Sequence, residues 1–154
     1  MALPECGDNI DPTTFEQILE MDDDEEEREF SKSIVYGFFE QVESTFEKMD
    51  AAMYATSIVV PASLGCADYL LSKTKDLETL SSLGHFLKGS SATLGLNKLK
   101  ASTEKIQHFG HGKDETGTKD ETPEFCLTAI EKEIKKLKID YVTVEKSLRK
   151  FYGE

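Results

Sequence analysis

REFSKSIVYGFFEQVESTFEKMD, residues 28–50, decides the fold. Its apolar side chains Phe30, Ile34, Val35, Phe38, Phe39, Val42, Phe46 and Met49 recur at steps of three and four. A 3.6-residue turn gathers those positions on one face, whereas a strand would alternate every second residue. The spacing predicts a long amphipathic helix with one face to bury, and the rest of the chain supplies partners for it. Residues 76–95 carry Leu77, Leu80, Leu83, Leu87 and Leu94, with Asp76 as the expected cap and Gly95 as the stop. Residues 97–109 follow, with Asn97 as cap and Leu99, Ile106 and Phe109 as the apolar set. Residues 123–152 form a last long helix along Ile130, Ile134, Leu137, Tyr141, Val144, Leu148 and Phe151. Ahead of them all, Asp11-Pro12 opens a short helix over 12–20, on which Phe15, Ile18 and Leu19 share a face. The expected fold is therefore all-α, an antiparallel four-helix bundle with an additional short N-terminal helix, in one domain spanning 1–154.

Composition narrows what such a bundle can do. A net charge of -12 over 154 residues argues against nucleic acid or an anionic membrane as partner, because both require a basic footprint. Cys6, Cys66 and Cys126 are odd in number and lack CxxC spacing, so neither a disulfide framework nor a zinc site is expected. No signal-peptide pattern opens MALPECGDNIDP, and no apolar run approaches a membrane span. The run Asp22 to Glu27 reads as a solvated acidic linker, without the spacing of a calcium loop. These bounds describe a soluble, acidic, intracellular domain.

One stretch resists a purely structural reading. In LGHFLKGSSA, residues 83–92, His85, Lys88 and Gly89 stand at i, i+3 and i+4 on one helical face, to the side of the leucine stripe. Glycine inside a helix costs about 0.5–1 kcal/mol relative to alanine, so Gly89 needs a reason. A small residue one turn from an imidazole leaves the ring open to another protein, and Lys88 offers charge to an anion. Ser90 and Gln107 could add hydrogen bonds. Such a site suits an imidazole attacking a phosphoryl group. The chain lacks a P-loop and a kinase glycine loop, so a partner must bring the remaining machinery. His108, near a helix end, and His111, in the Gly-Lys loop, read as capping or solvated residues. Ser90 and Ser91 lack the G-x-S-x-G elbow of a hydrolase.

HFLKGSSATLGL, residues 85–96, resembles the phosphorylation motif of histidine-containing phosphotransfer (HPt) domains. With IDPTTFEQILEMDDDEEEREFSKSIVYGFFEQVESTFEKM (10–49) and EKIQHFG (104–110), the chain is similar to the fungal osmosensing branch of that family. The resemblance implies a four-helix bundle and a phosphorelay intermediate. His85 would accept a phosphoryl group from the receiver-domain aspartate of a hybrid sensor histidine kinase and pass it to the receiver aspartate of a response regulator. It implies Lys88, Ser90 and Gln107 as phosphoryl-stabilising residues and Gly89 as the clearance position. Ile18, Ile34, Gln41 and Leu94 would form the receiver-docking face. No metal or cofactor of its own is implied, Mg2+ coming with the partner receiver, and no small-molecule substrate. The chain would be a monomer in cytoplasm and nucleus. A receiver-binding module that carries no phosphate is the alternative, and it would have no need of the HxxKG spacing.

Two departures stand out. Residues 53–72, MYATSIVVPASLGCADYLLS, lengthen the connection beyond the family's usual span and match neither flanking helix pattern. They read as an atypical insertion, for which an unspliced intron is the favoured origin, since Met53-Tyr54-Ala55 can be encoded through a donor-like GTATG. Sequencing the transcript decides that origin. His111, moreover, stands where relatives carry a longer cationic side chain.

Overall fold

The computed structural model describes residues 7–24, 26–57 and 65–154. After a 3-10 turn at Gly7–Asn9, the α-helices are α1 (Pro12–Leu19), α2 (Glu29–Ser57), α3 (Cys66–Thr93), α4 (Asn97–Gly110) and α5 (Pro123–Phe151). Helices α2 to α5 make the antiparallel bundle, with α3 packed against α4, α2 and α5 and with α4 against α5. No strand occurs among the described residues, and Lys113 and Asp120 form an isolated bridge in the loop before α5. No described helix is long and apolar enough to cross a membrane.

The helical stripes become the core. Val35, Phe38, Phe39, Val42, Phe46 and Met49 of α2 are all buried, as are Ile130, Ile134, Leu137, Tyr141, Val144 and Leu148 of α5. Phe30, at 45% exposure, and half-buried Ile34 mark where the α2 stripe runs off the end of the bundle. Tyr141 sits edge-on between Phe39 and Phe46, at centroid distances of 6.2 and 5.5 Å. That geometry suits the ring quadrupoles. The burial that encloses Tyr141 also pushes its phenol well above its ordinary pKa.

Helix ends differ from expectation in instructive ways. Gly95, at φ +70°, does close α3: Gly95 N donates to Ala92 O and Leu96 N to Ser91 O, the paired bonds of a Schellman turn. The same turn seats α1, because Asp11 N donates to Gly95 O at 2.7 Å and a Cβ on Gly95 would meet Thr14 Cβ at 2.9 Å. Asp76 is no cap. Helix α3 begins ten residues earlier, at Cys66, and Asp76 lies within it, half-buried, its carboxyl pushed up by burial. Asn97 is the first residue of α4 rather than its cap, and the cap position, Leu96, makes no side-chain bond. Thr122 does cap α5, its Oγ1 accepting from Phe125 N at 3.2 Å. Helix α2 takes its first bond from afar: Asp22 Oδ1 accepts from Ser31 N at 2.8 Å, so the acidic run is partly structural.

The segment 53–72 also corrects the reading. Residues 53–57 continue α2 and residues 66–72 belong to α3, so both its ends extend the flanking helices. Residues 58–64, with Pro61, lie outside the described residues, and Gly65 stands at the start of α3. The breakers are gathered in the middle of the segment, which leaves its flanks free to follow helices already committed by their apolar faces.

Helices α3 and α4 meet backbone to backbone. A Cβ on Gly110 would lie 2.6 Å from Ser81 Cβ and 2.7 Å from Leu77 O and Ser81 Cα. No side chain fits there without separating the helices. Gly110→Ala should therefore destabilise the fold by about 1–3 kcal/mol, the usual cost of overpacking. A thermal melt should show Tm falling by several degrees; an unchanged Tm would mean that the two helices part freely.

Candidate functional site

Below Gly110 the same close approach continues along α3. A Cβ on Gly84 would sit 3.0 Å from Thr103 O, 3.1 Å from Gln107 N and 3.1 Å from Ile106 Cγ2. Ser81 Oγ donates to Gln107 O at 3.1 Å. The two helices run antiparallel in a fixed register, so Ser81 faces Gly110, His85 faces Gln107 and Lys88 faces Glu104.

His85 is exposed on this ridge, as its place beside the leucine stripe predicts. Gln107 Nε2 lies 3.3 Å from His85 Nδ1, which engages one ring nitrogen and orients the ring. Nε2 meets no hydrogen-bond partner among the described residues. In this geometry the amide N–H donates to Nδ1, which places the ring proton on Nε2. Attack through Nε2 needs the other tautomer. Half a turn of the amide supplies it, by offering Nδ1–H the Gln107 Oε1, which is buried with no hydrogen-bond partner among the described residues.

Lys88 is not idle. Its Nζ donates to Glu104 Oε1 at 2.7 Å, and that bond holds the Glu104 carboxyl below its ordinary range. Gly89 is exposed, and a Cβ built on it would meet nothing within 4 Å. Its smallness serves no packing inside the chain, unlike that of Gly84 and Gly110. Ser90 departs from expectation: its Oγ donates to Gln41 Oε1 at 3.3 Å, so the hydroxyl is tied across to α2 rather than turned to His85. Ile18 and Leu94 are largely enclosed. At 7% and 1% exposure they are core residues that hold α1 and the α3–α4 turn, with little surface left for a partner. Ile34 is half-buried and Gln41 exposed, so both offer surface. Phe86, beside His85 and 48% exposed, went unsingled in the sequence. Its signal was an aromatic residue lying off the leucine stripe. Glu104 and Gly84 were missed too, because their significance lies in a cross-helix register that spacing within one helix does not contain.

The loop after α4 is built around Asp114. Its Oδ1 accepts from Thr116 Oγ1 at 2.8 Å and from Thr118 N at 3.0 Å, and these bonds hold the carboxyl down at about 2. His108 Nδ1 reaches Glu115 O at 2.8 Å and so tethers the loop, while His111 is exposed where α4 ends. No three His, Cys, Asp or Glu side chains gather into a metal-binding group among the described residues.

Comparison with known proteins identifies the family. Residues 34–139 match the Hpt domain family. Multistep phosphorelay regulator 1 of Schizosaccharomyces pombe is 41% identical over 144 residues, covering 93% of this chain and 42% of that protein. Phosphorelay intermediate protein YPD1 of Candida albicans is 46% identical over 102 residues, 66% of this chain and 44% of the relative. YPD1 of Saccharomyces cerevisiae is 36% identical over 101 residues, 66% of this chain and 48% of the relative. The chain spans less than half the length of these curated relatives. With the family match running across α2 to α5 and enclosing the His85 ridge, the chain belongs to the Hpt domain family.

Proposed function

We propose that the chain is a phosphorelay intermediate in which His85 shuttles a phosphoryl group between receiver-domain aspartates. The observation that carries this reading is an exposed imidazole with one nitrogen engaged by Gln107 and the other open, beside a cation and a glycine with empty space above it. Family membership supports it. The donor is the receiver aspartate of a hybrid sensor histidine kinase and the acceptor that of a response regulator. The Nε2 lone pair forms the P–N bond, the P–O bond to the aspartate breaks, and its electron pair leaves on the carboxylate. With the Gln107 amide turned so that Oε1 faces the ring, the Nδ1 proton stays in its bond to Gln107. Passage to the second receiver reverses these events. The chain has no small-molecule substrate in this reading. The receiver supplies Mg2+, which neutralises charge on the phosphoryl oxygens, and the chain supplies orientation, a cation and access. A monomer serving an osmosensing relay in cytoplasm and nucleus completes the proposal, on the strength of the resemblance to the fungal branch.

Two variants test the roles. His85→Gln should accept no phosphate from a phosphorylated receiver and should melt near the wild-type temperature, since an exposed substitution rarely changes stability by more than about 0.5 kcal/mol. Phosphate still appearing on that variant would move the site elsewhere. Lys88→Ala should slow transfer by roughly ten- to a hundredfold, or about 1.4–2.7 kcal/mol of barrier, while Lys88→Arg keeps much of the rate. Binding to the unphosphorylated receiver should change far less than the rate does. Quenched-flow transfer beside a binding titration measures both, and equal losses would make Lys88 a docking contact instead.

A further inference from the structure

We propose that Glu104 is a positioning residue that occupies Lys88 until a phosphoryl group reaches His85, so that its charge sets how firmly the phosphoryl group is held. The proposal rests on the phosphotransfer reading and adds to it a residue on the facing helix. The pairs His85–Gln107 and Lys88–Glu104 are neighbouring rungs between α3 and α4, with His85 and Lys88 one turn apart. Lys88 is thus poised between two anion positions: the Glu104 carboxylate, at 2.7 Å, and whatever is bound to His85.

The pair is open to exchange. The Lys88 and Glu104 side chains are 30% and 44% exposed, so water screens the bond and no buried charge is stranded if it opens. Glu104 also has company beyond Lys88. Lys100 precedes it by one turn on α4, and its charge helps to hold the carboxyl below the ordinary range after the Lys88 bond itself. When Lys88 turns to a phosphoryl group, Glu104 still has that cation. A phosphoryl group and the carboxylate cannot share one ammonium without approaching each other, and like charges repel. Glu104 therefore competes with the phosphoryl group for Lys88. Its charge favours release over retention, which suits an intermediate that must give up what it takes.

The test removes the charge and keeps the shape. Wild type, Glu104→Gln and Glu104→Asp are loaded with phosphoramidate, whose P–N bond breaks as ammonia leaves and the phosphoryl group joins His85. Loss of phosphate from the isolated chain is then followed by 31P NMR, and in a second arm the transfer equilibrium with a receiver domain is measured. Glu104→Gln should hold phosphate about two- to fivefold longer and shift the equilibrium toward the histidine by a similar factor, as expected for one exposed charge pair. Glu104→Asp should stay near wild type. In a Lys88→Ala background the Glu104→Gln gain should vanish. Unchanged retention in Glu104→Gln overturns the proposal, and so does a gain that survives intact without Lys88. Failure of the wild type to take phosphate from a phosphorylated receiver would instead overturn the phosphotransfer reading on which it rests.

Discussion

The contact of α3 with α4 through Gly84 and Gly110 is the constraint on which the site depends. At both glycines an added Cβ would run into the facing backbone or side chains, at 3.0 Å from Thr103 O and 2.6 Å from Ser81 Cβ. The two helices therefore lie closer than larger side chains at those positions allow, and their register is fixed. Everything facing across that seam inherits its place: Ser81 holds the Gln107 carbonyl, Gln107 holds one nitrogen of His85, and Glu104 holds Lys88. A functional histidine on the surface of a bundle needs no pocket of its own. It needs a ring whose orientation is set from behind, and the seam does that.

The electrostatics follow from the same arrangement. A chain of net charge -12 is a poor host for another anion, and Lys88, one turn from His85, is already engaged. Lys88 pairs with Glu104, Lys105 with Glu115, and Lys113 with Asp120. His85 is thus presented beside a lysine whose charge is shared with Glu104. Gly89 fits the same logic. It has open space above it, so packing within the described residues does not account for its local cost in helix stability.

Most of the fold was legible because the bundle is written in apolar periodicity. The stripe from Val35 to Met49 and that from Ile130 to Leu148 are buried as read. Boundaries were less legible. Asp76 looked like a cap, yet the helix continues upstream, since a cap-forming residue type says nothing about whether its backbone groups are already bonded. His85, Lys88 and Gly89 could be grouped from spacing on one helix. Glu104 could not, because its partner lies sixteen residues away across a turn. Ile18 and Leu94 show the converse limit: an apolar residue near a site reads equally well as surface or as core until the packing of α1 decides it.

The central claim is that Gln107 engages His85 Nδ1, and that with its amide turned to offer Oε1 to Nδ1–H it leaves Nε2 as the reactive nitrogen. The most direct test is the position of the phosphoryl group on the ring, read by 31P and 15N NMR on chain phosphorylated by a receiver domain. The geometry predicts a single phosphohistidine with phosphorus bonded to Nε2 and a protected Nδ1. Phosphorus on Nδ1 would contradict it, because that nitrogen could then react only with Gln107 displaced.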